Sequence, residues 1–92
     1  MATARQKAQH DLDEGQKALE EKDFNKAANL LHNVLNFDKD NPDVLFLVGC
    51  LHMEVGNRGL ARQVFLRTLD IEPAHTQAYH NLGVVAQRMM GS

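Results

Sequence analysis

Cys50 and His80 are the residues whose chemistry could be combined, because a thiol and an imidazole are both soft metal ligands and together can form an activated-thiol pair. Cys50 is the single cysteine, and no Cys/His spacing resembles a zinc framework, so a third ligand is missing. A lining cysteine beside a polar histidine is the simpler account. No nucleophile elbow, phosphate loop, H-E-x-x-H pair or dinucleotide fingerprint occurs, so the sequence predicts neither catalysis nor a cofactor or metal. The runs "DLDE" and "EEKD" read as solvated helix faces, and Met89 and Met90 as filler at a helix interface.

Composition narrows the class further. Ninety-two residues make one small domain that must draw its stability from close helix packing or from association. Hydrophobic residues at 43% and charged residues at 24% are ordinary for a folded chain. A formal net charge of -2, with no basic stripe, argues against nucleic acid as a partner. A lone cysteine favours a reducing compartment. No apolar run approaches the roughly 18 residues needed to span a bilayer, so a cytoplasmic location is expected.

Such residues must be positioned by helices, because every segment between turn signals carries helical rather than alternating periodicity. Pro42, Pro73 and the turns near Asp23 and Asn57 divide the chain into five segments. The first, about residues 3–22, places Ala8, Leu12, Gly15, Ala18 and Leu19 on one stripe. The second, about 24–38, opens with Asp23 as cap and carries Phe24, Ala27, Ala28, Leu31, Val34 and Leu35. Asn41 caps the third, Pro42 fills its first position, and Gly56 ends it. Asn57 is expected to cap the fourth, which carries Leu60, Ala61, Val64, Phe65, Leu69 and Ile71; the fifth begins near Thr76 and runs towards Gly91. Short connections make these helices antiparallel neighbours.

Gly15, Gly49 and Gly83 each interrupt a helix, 34 residues apart. The same shift pairs Asp23 with Asn57, Ala27 with Ala61, Leu31 with Phe65, Leu35 with Leu69, and Leu45 with Tyr79. A mid-helix glycine costs about 1 kcal/mol against alanine, so its recurrence predicts sites where two helix backbones approach closely, with Ala27 and Ala61 facing them. On "LVGCLHMEVGN" with "LARQVFLRTLDIEP", on "DEGQKALEEKDFNKAANLLHNVLNFD" and on "AYHNLGV", over about residues 8–90, the chain resembles the tetratricopeptide repeat family. Lys39 and Glu14 depart from the family pattern.

The resemblance implies an all-α, right-handed α-solenoid: one domain over 1–92, with unit one at about 8–41, unit two at about 42–75 and the first helix of a third at about 76–90. It also implies a concave groove that binds a peptide or helix segment. By matched position the groove residues are Gln9, Leu12, Gln16 and Leu19, then Asp43, Phe46, Cys50 and Met53, then Gln77, His80, Val84 and Gln87. Phe46 and Met53 are the expected anchors, and Cys50 and His80 would face one another across the groove. The basic clamp with which some relatives hold a chaperone C-terminal carboxylate is absent, since Leu12, Gln16, Leu47, His80 and Val84 stand there. An apolar or amphipathic protein segment is the expected partner. His52 stands where the family buries an aromatic ring and is expected to be a satisfied core histidine.

The two ends differ. His10, Glu14, Lys17 and Glu21 give the first helix a polar outer face, whereas Tyr79, Gly83, Ala86 and Met90 give the last a second apolar strip beside the Leu82, Val85 and Met89 stripe that faces helix four. Either the strip self-associates to give a homo-oligomer, or the chain is the N-terminal part of a longer repeat protein.

Overall fold

The computed structural model describes residues 3–90. Five helices follow in order, α1 (Ala4–Glu20), α2 (Phe24–Phe37), α3 (Pro42–Glu54), α4 (Arg58–Ile71) and α5 (Thr76–Met90), with no strand among the described residues. Local chemistry explains most boundaries. Thr3 closes a reciprocal capping box with Gln6, Asp23 accepts from the Lys26 amide at 3.3 Å, and Asn41 accepts from the Asp43 and Val44 amides at 3.1 and 3.2 Å. Gly56 turns the chain out of α3 at φ 88. At the matching place after α1 stands Lys22 at φ 61, so a residue with a Cβ accepts the left-handed conformation that glycine adopts one unit later.

Asn57 does not cap α4 with its side chain, contrary to the pairing with Asp23; only its carbonyl accepts, from the Ala61 amide at 2.9 Å. The start of α5 carries a cap that the sequence reading lacked. His75 occupies the repeat position of Asn41, and its Nδ1 accepts from the Ala78 amide at 3.1 Å.

α1 pairs with α2, and α3 with α4, as antiparallel hairpins; α2 then packs on α3 and α4 on α5, while α3 also touches both α1 and α5. The odd-numbered helices therefore share one side of a body measuring 50 × 28 × 17 Å. Three apolar clusters run through it. Ala8, Leu31, Val34 and Val44 join α1, α2 and α3; Ala18, Ala27 and Leu51 extend that junction; Ala61, Phe65, Ala78 and Val85 join α4 to α5 beneath α3. Thr68 is fully buried as well, its hydroxyl donating to the Val64 carbonyl at 2.9 Å, the bond that lets a polar side chain sit inside a helix interface.

Gly15 and Gly49 are both buried at helix crossings, and Ala27 and Ala61 are fully buried nearby. The atoms that fill the glycine sites come from one turn further along the facing helix. A Cβ at Gly15 would lie 3.0 Å from Leu31 Cδ2, and one at Gly49 would lie 2.4 Å from Phe65 Cε1. The reason is the lean of helical side chains towards their own N-terminus, which carries the large residue at n+4 over the turn occupied by the small residue at n. Alanine therefore makes the room, and leucine or phenylalanine uses it.

Several apolar positions on the expected helical stripes are exposed instead: Leu60, Ile71 and Met89 reach the surface, and Ile71 does so at the repeat position of Phe37, which is exposed as well, so that position points outward in both units. Conversely, Asp11 is buried in α1 at the position of Leu45 in α3. His52 is half-buried and is not satisfied. Its Nδ1 has no hydrogen-bond partner among the described residues; it lines a mostly apolar recess with Ala28, Leu35, Val48 and Leu51, and the one other polar side chain there, His32, makes no hydrogen bond to it.

Candidate functional site

The side shared by α1, α3 and α5 holds a shallow cavity of about 280 Å³ lined by Gln9, Leu12, Asp13, Gln16, Asp43, Phe46, Leu47 and Gln77. Six of the twelve expected groove residues meet there. Asp13 and Leu47 join them without having been expected, although Asp13 lies one helical turn from Gln9 and accepts from its Nε2 at 3.1 Å. Gln9, Gln16, Gln77 and Asp43 are exposed, while Leu12 and Phe46 are half-buried, so the cavity offers apolar carbon in its walls and amide or carboxylate groups at its edge.

Leu19, Cys50, Met53, His80, Val84 and Gln87 lie outside this cavity. Leu19 packs against the clusters of the first hairpin, and Cys50 and Met53 against the cluster around Phe65. Val84 is half-buried, and His80 and Gln87 are exposed along α5. The polar contact made to Cys50 comes from Asn81, whose Nδ2 approaches Sγ at 3.5 Å, and not from His80. Adjacent helical residues point about 100° apart, so turning Asn81 towards α3 turns His80 away from it.

Burial pushes the Cys50 thiol up from 9.0 to about 11, the nearby Glu54 charge adding to that rise and the Asn81 bond opposing it. Cys50 is therefore protonated near neutrality and is a poor nucleophile. The upward shift leaves a hundredfold smaller thiolate fraction, roughly, which the greater intrinsic reactivity of a more basic thiolate reduces to about tenfold in rate. Iodoacetamide at pH 7.5 is expected to alkylate the folded chain about tenfold more slowly than the urea-unfolded chain. The same shift makes the thiol a source of stability that is whole below pH 9.0 and is lost as pH rises towards 11.

His75 is the residue that ties the site together. Its side chain is almost wholly buried, its ring stacks at a tilt on Phe46 with centroids 5.1 Å apart, and Nε2 lies 3.4 Å from Asp43 Oδ1. Phe46 in turn meets the Phe65 ring at 5.9 Å. The first turn of α5, and with it Gln77, is thus clamped to α3 through one imidazole. The register with Asn41 was the available signal for this role.

Asp43, Glu72 and His75 also bring three metal-ligating atoms within 4.8 Å of one another. The cap bond decides against ligation: an Nδ1 that accepts from the Ala78 amide leaves the ring proton on Nε2, the atom facing Asp43. A metal there would have to break the cap of α5. The ring holds a helix in place.

Paired antiparallel helices stacked through a recurring 34-residue unit, with the first helix of each unit on one shared side, define a helical repeat solenoid. The tetratricopeptide repeat model matches residues 18–86, three quarters of the chain, and the chain belongs to that family. Its members are typically protein-interaction scaffolds without catalytic activity. No curated protein matches the chain. Among the described residues no helix is long and apolar enough to cross a membrane.

Proposed function

We propose that this chain is a non-enzymatic scaffold, expected in the cytoplasm, that captures an apolar or amphipathic protein segment on the side shared by α1, α3 and α5. The observation that supports this most is the convergence of Leu12, Phe46, Gln9, Gln16 and Gln77, from three successive first helices, on one cavity. Amide side chains both donate and accept, and so match the backbone of an extended peptide or the end of a helix, while Leu12 and Phe46 hold apolar side chains. Asp13 and Asp43 at the rim oppose a carboxylate-bearing terminus, consistent with the missing basic clamp, and they equally oppose nucleic-acid phosphates.

The test is selection of peptides from a random display library on the folded chain. Phe46→Ala is expected to weaken the selected peptides about tenfold or more, as truncation of a central aromatic anchor does. Because Phe46 also leans on Phe65, the exposed Gln77→Ala provides a second variant that leaves the core untouched and should weaken the same peptides severalfold. Peptides indifferent to both substitutions would place recognition elsewhere. Self-association through α5 would use a different side of the molecule, and Phe46→Ala would leave it in place.

A further inference from the structure

Asp11 opens the run "DLDE", which reads as a solvated helix face, yet its exposure is only 8%. It stands where the second unit buries Leu45, a side chain of nearly the same shape, so one hairpin sets a carboxylate where the other sets carbon. Among the described residues no hydrogen bond or ion pair reaches that carboxylate. The sealed side-chain polar atom without a partner is His52 Nδ1, so the Asp11 oxygens keep contact with solvent. They meet it in a recess of about 320 Å³ between α1 and α2, lined also by Lys7, Asn33, Asn36 and Phe37. Burying a carboxylate without partners costs stability, and no bond within the fold offsets that cost. A residue that breaks the pattern of its own repeat in this way is the mark of a group held for a ligand.

The surrounding groups specify the ligand. One carboxylate beside neutral amides is too little for a hard metal ion, which would also meet the Lys7 charge, and an anion would meet Asp11. A guanidinium suits all of them: it is weakly hydrated, offers five donors to carboxylate and amide oxygens, and stacks on aromatic rings such as Phe37, which is 51% exposed. Lys7, one turn before Asp11, is the internal competitor. It forms no ion pair with Asp11, and lysine preceding an acid by four residues is the weaker orientation on a helix. We propose that the recess between α1 and α2 is a pocket for an arginine side chain of a partner protein, with Asp11 as counter-charge, Asn33 and Asn36 as acceptors and Phe37 as stacking surface. Its rim residues Ala4, Lys7, Asn33 and Asn36 are exposed, so a side chain can enter while the peptide that carries it stays outside. None of these residues lines the cavity between α1, α3 and α5, and the proposal does not rest on that cavity.

The probe is the tripeptide acetyl-Gly-Arg-Gly-amide, whose one charge is the guanidinium, titrated into the 92-residue chain and followed by amide NMR shifts. Saturable shifts are expected at Lys7, Asp11 and Asn36. Asp11→Asn should weaken binding about tenfold or more, and so should citrulline in place of the probe's arginine, which keeps the shape and removes the charge. Lysine in that place should bind severalfold more weakly, and Lys7→Gln should tighten the arginine probe. Asp11→Leu, the residue of the second unit, should abolish binding while raising the urea midpoint of unfolding, the opposite of what a merely structural Asp11 would do. Absence of saturable shifts at these residues overturns the proposal, as does binding that ignores Asp11→Asn or accepts citrulline equally. The citrulline comparison uses the native chain, so it decides even where a variant fails to fold. Ethylguanidinium binding as tightly as the tripeptide would overturn the assignment to a protein-borne arginine. Asp11→Asn acts between α1 and α2 and Phe46→Ala on the other cavity, so failure of either reading leaves the other standing.

Discussion

Gly49→Ala is expected to lower the unfolding free energy by about 1–3 kcal/mol, whereas Gly83→Ala, the same change one repeat later, should raise it by about 0.5–1 kcal/mol. Both gain the same helix propensity, so the difference isolates packing. At Gly49 the new Cβ falls 2.4 Å from Phe65 Cε1, inside any allowed contact, and the ring it meets is fully buried and cannot swing into solvent. Either the ring shifts or α3 moves off α4. At Gly83 the Cβ enters open space. Urea titration followed by helical circular dichroism measures both, and equal signs would refute the account of the recurring glycine.

Phe65→Ala should cost about 3–5 kcal/mol, a large share of the 5–15 kcal/mol that stabilises a domain of ordinary size. Phe65 is the largest of the fully buried side chains, and it serves several contacts at once. It fills the space beside Gly49, stacks on Phe46, and anchors the cluster with Ala61, Ala78 and Val85 that holds α5 to α4. Phe65→Leu should cost less, because the first unit already packs Leu31 against Gly15. Combining Phe65→Leu with Gly49→Ala should cost less than the sum of the single changes, since the smaller side chain leaves room for the new Cβ. Strict additivity in that cycle would mean that the two residues do not share the space assigned to them.

The architecture was legible in the residues because repetition multiplies weak signals. One glycine in a helix says little, but three at one interval, with capping residues, alanines and large apolar residues recurring in the same register, specify hairpins and their stacking order. The short-range chemistry of Asp23, Asn41, Pro42 and Gly56 is equally local, and it behaves as its residue types require. Asn57 shows the limit of that logic: the same repeat position and a capping residue type did not bring its side chain onto the helix end.

The site was legible only in outline. Register alone named the helices that share a side, and six of the residues on it do line one cavity. It could not say that Cys50 and Met53 lean into the Phe65 cluster, nor that Asn81 rather than His80 meets the thiol, because those outcomes depend on the rotation of α3 and α5 about their own axes. Periodicity, caps and breakers act within a few residues and are written in the chain, so the sequence by itself determined five helices, their pairing and the recurring close approach. Which atom fills each glycine socket, the clasp of His75 between Ala78, Asp43 and Phe46, and the emptiness beside Gly83 were decided only in three dimensions, because each depends on the distance between helices, which side-chain volume and lean set jointly.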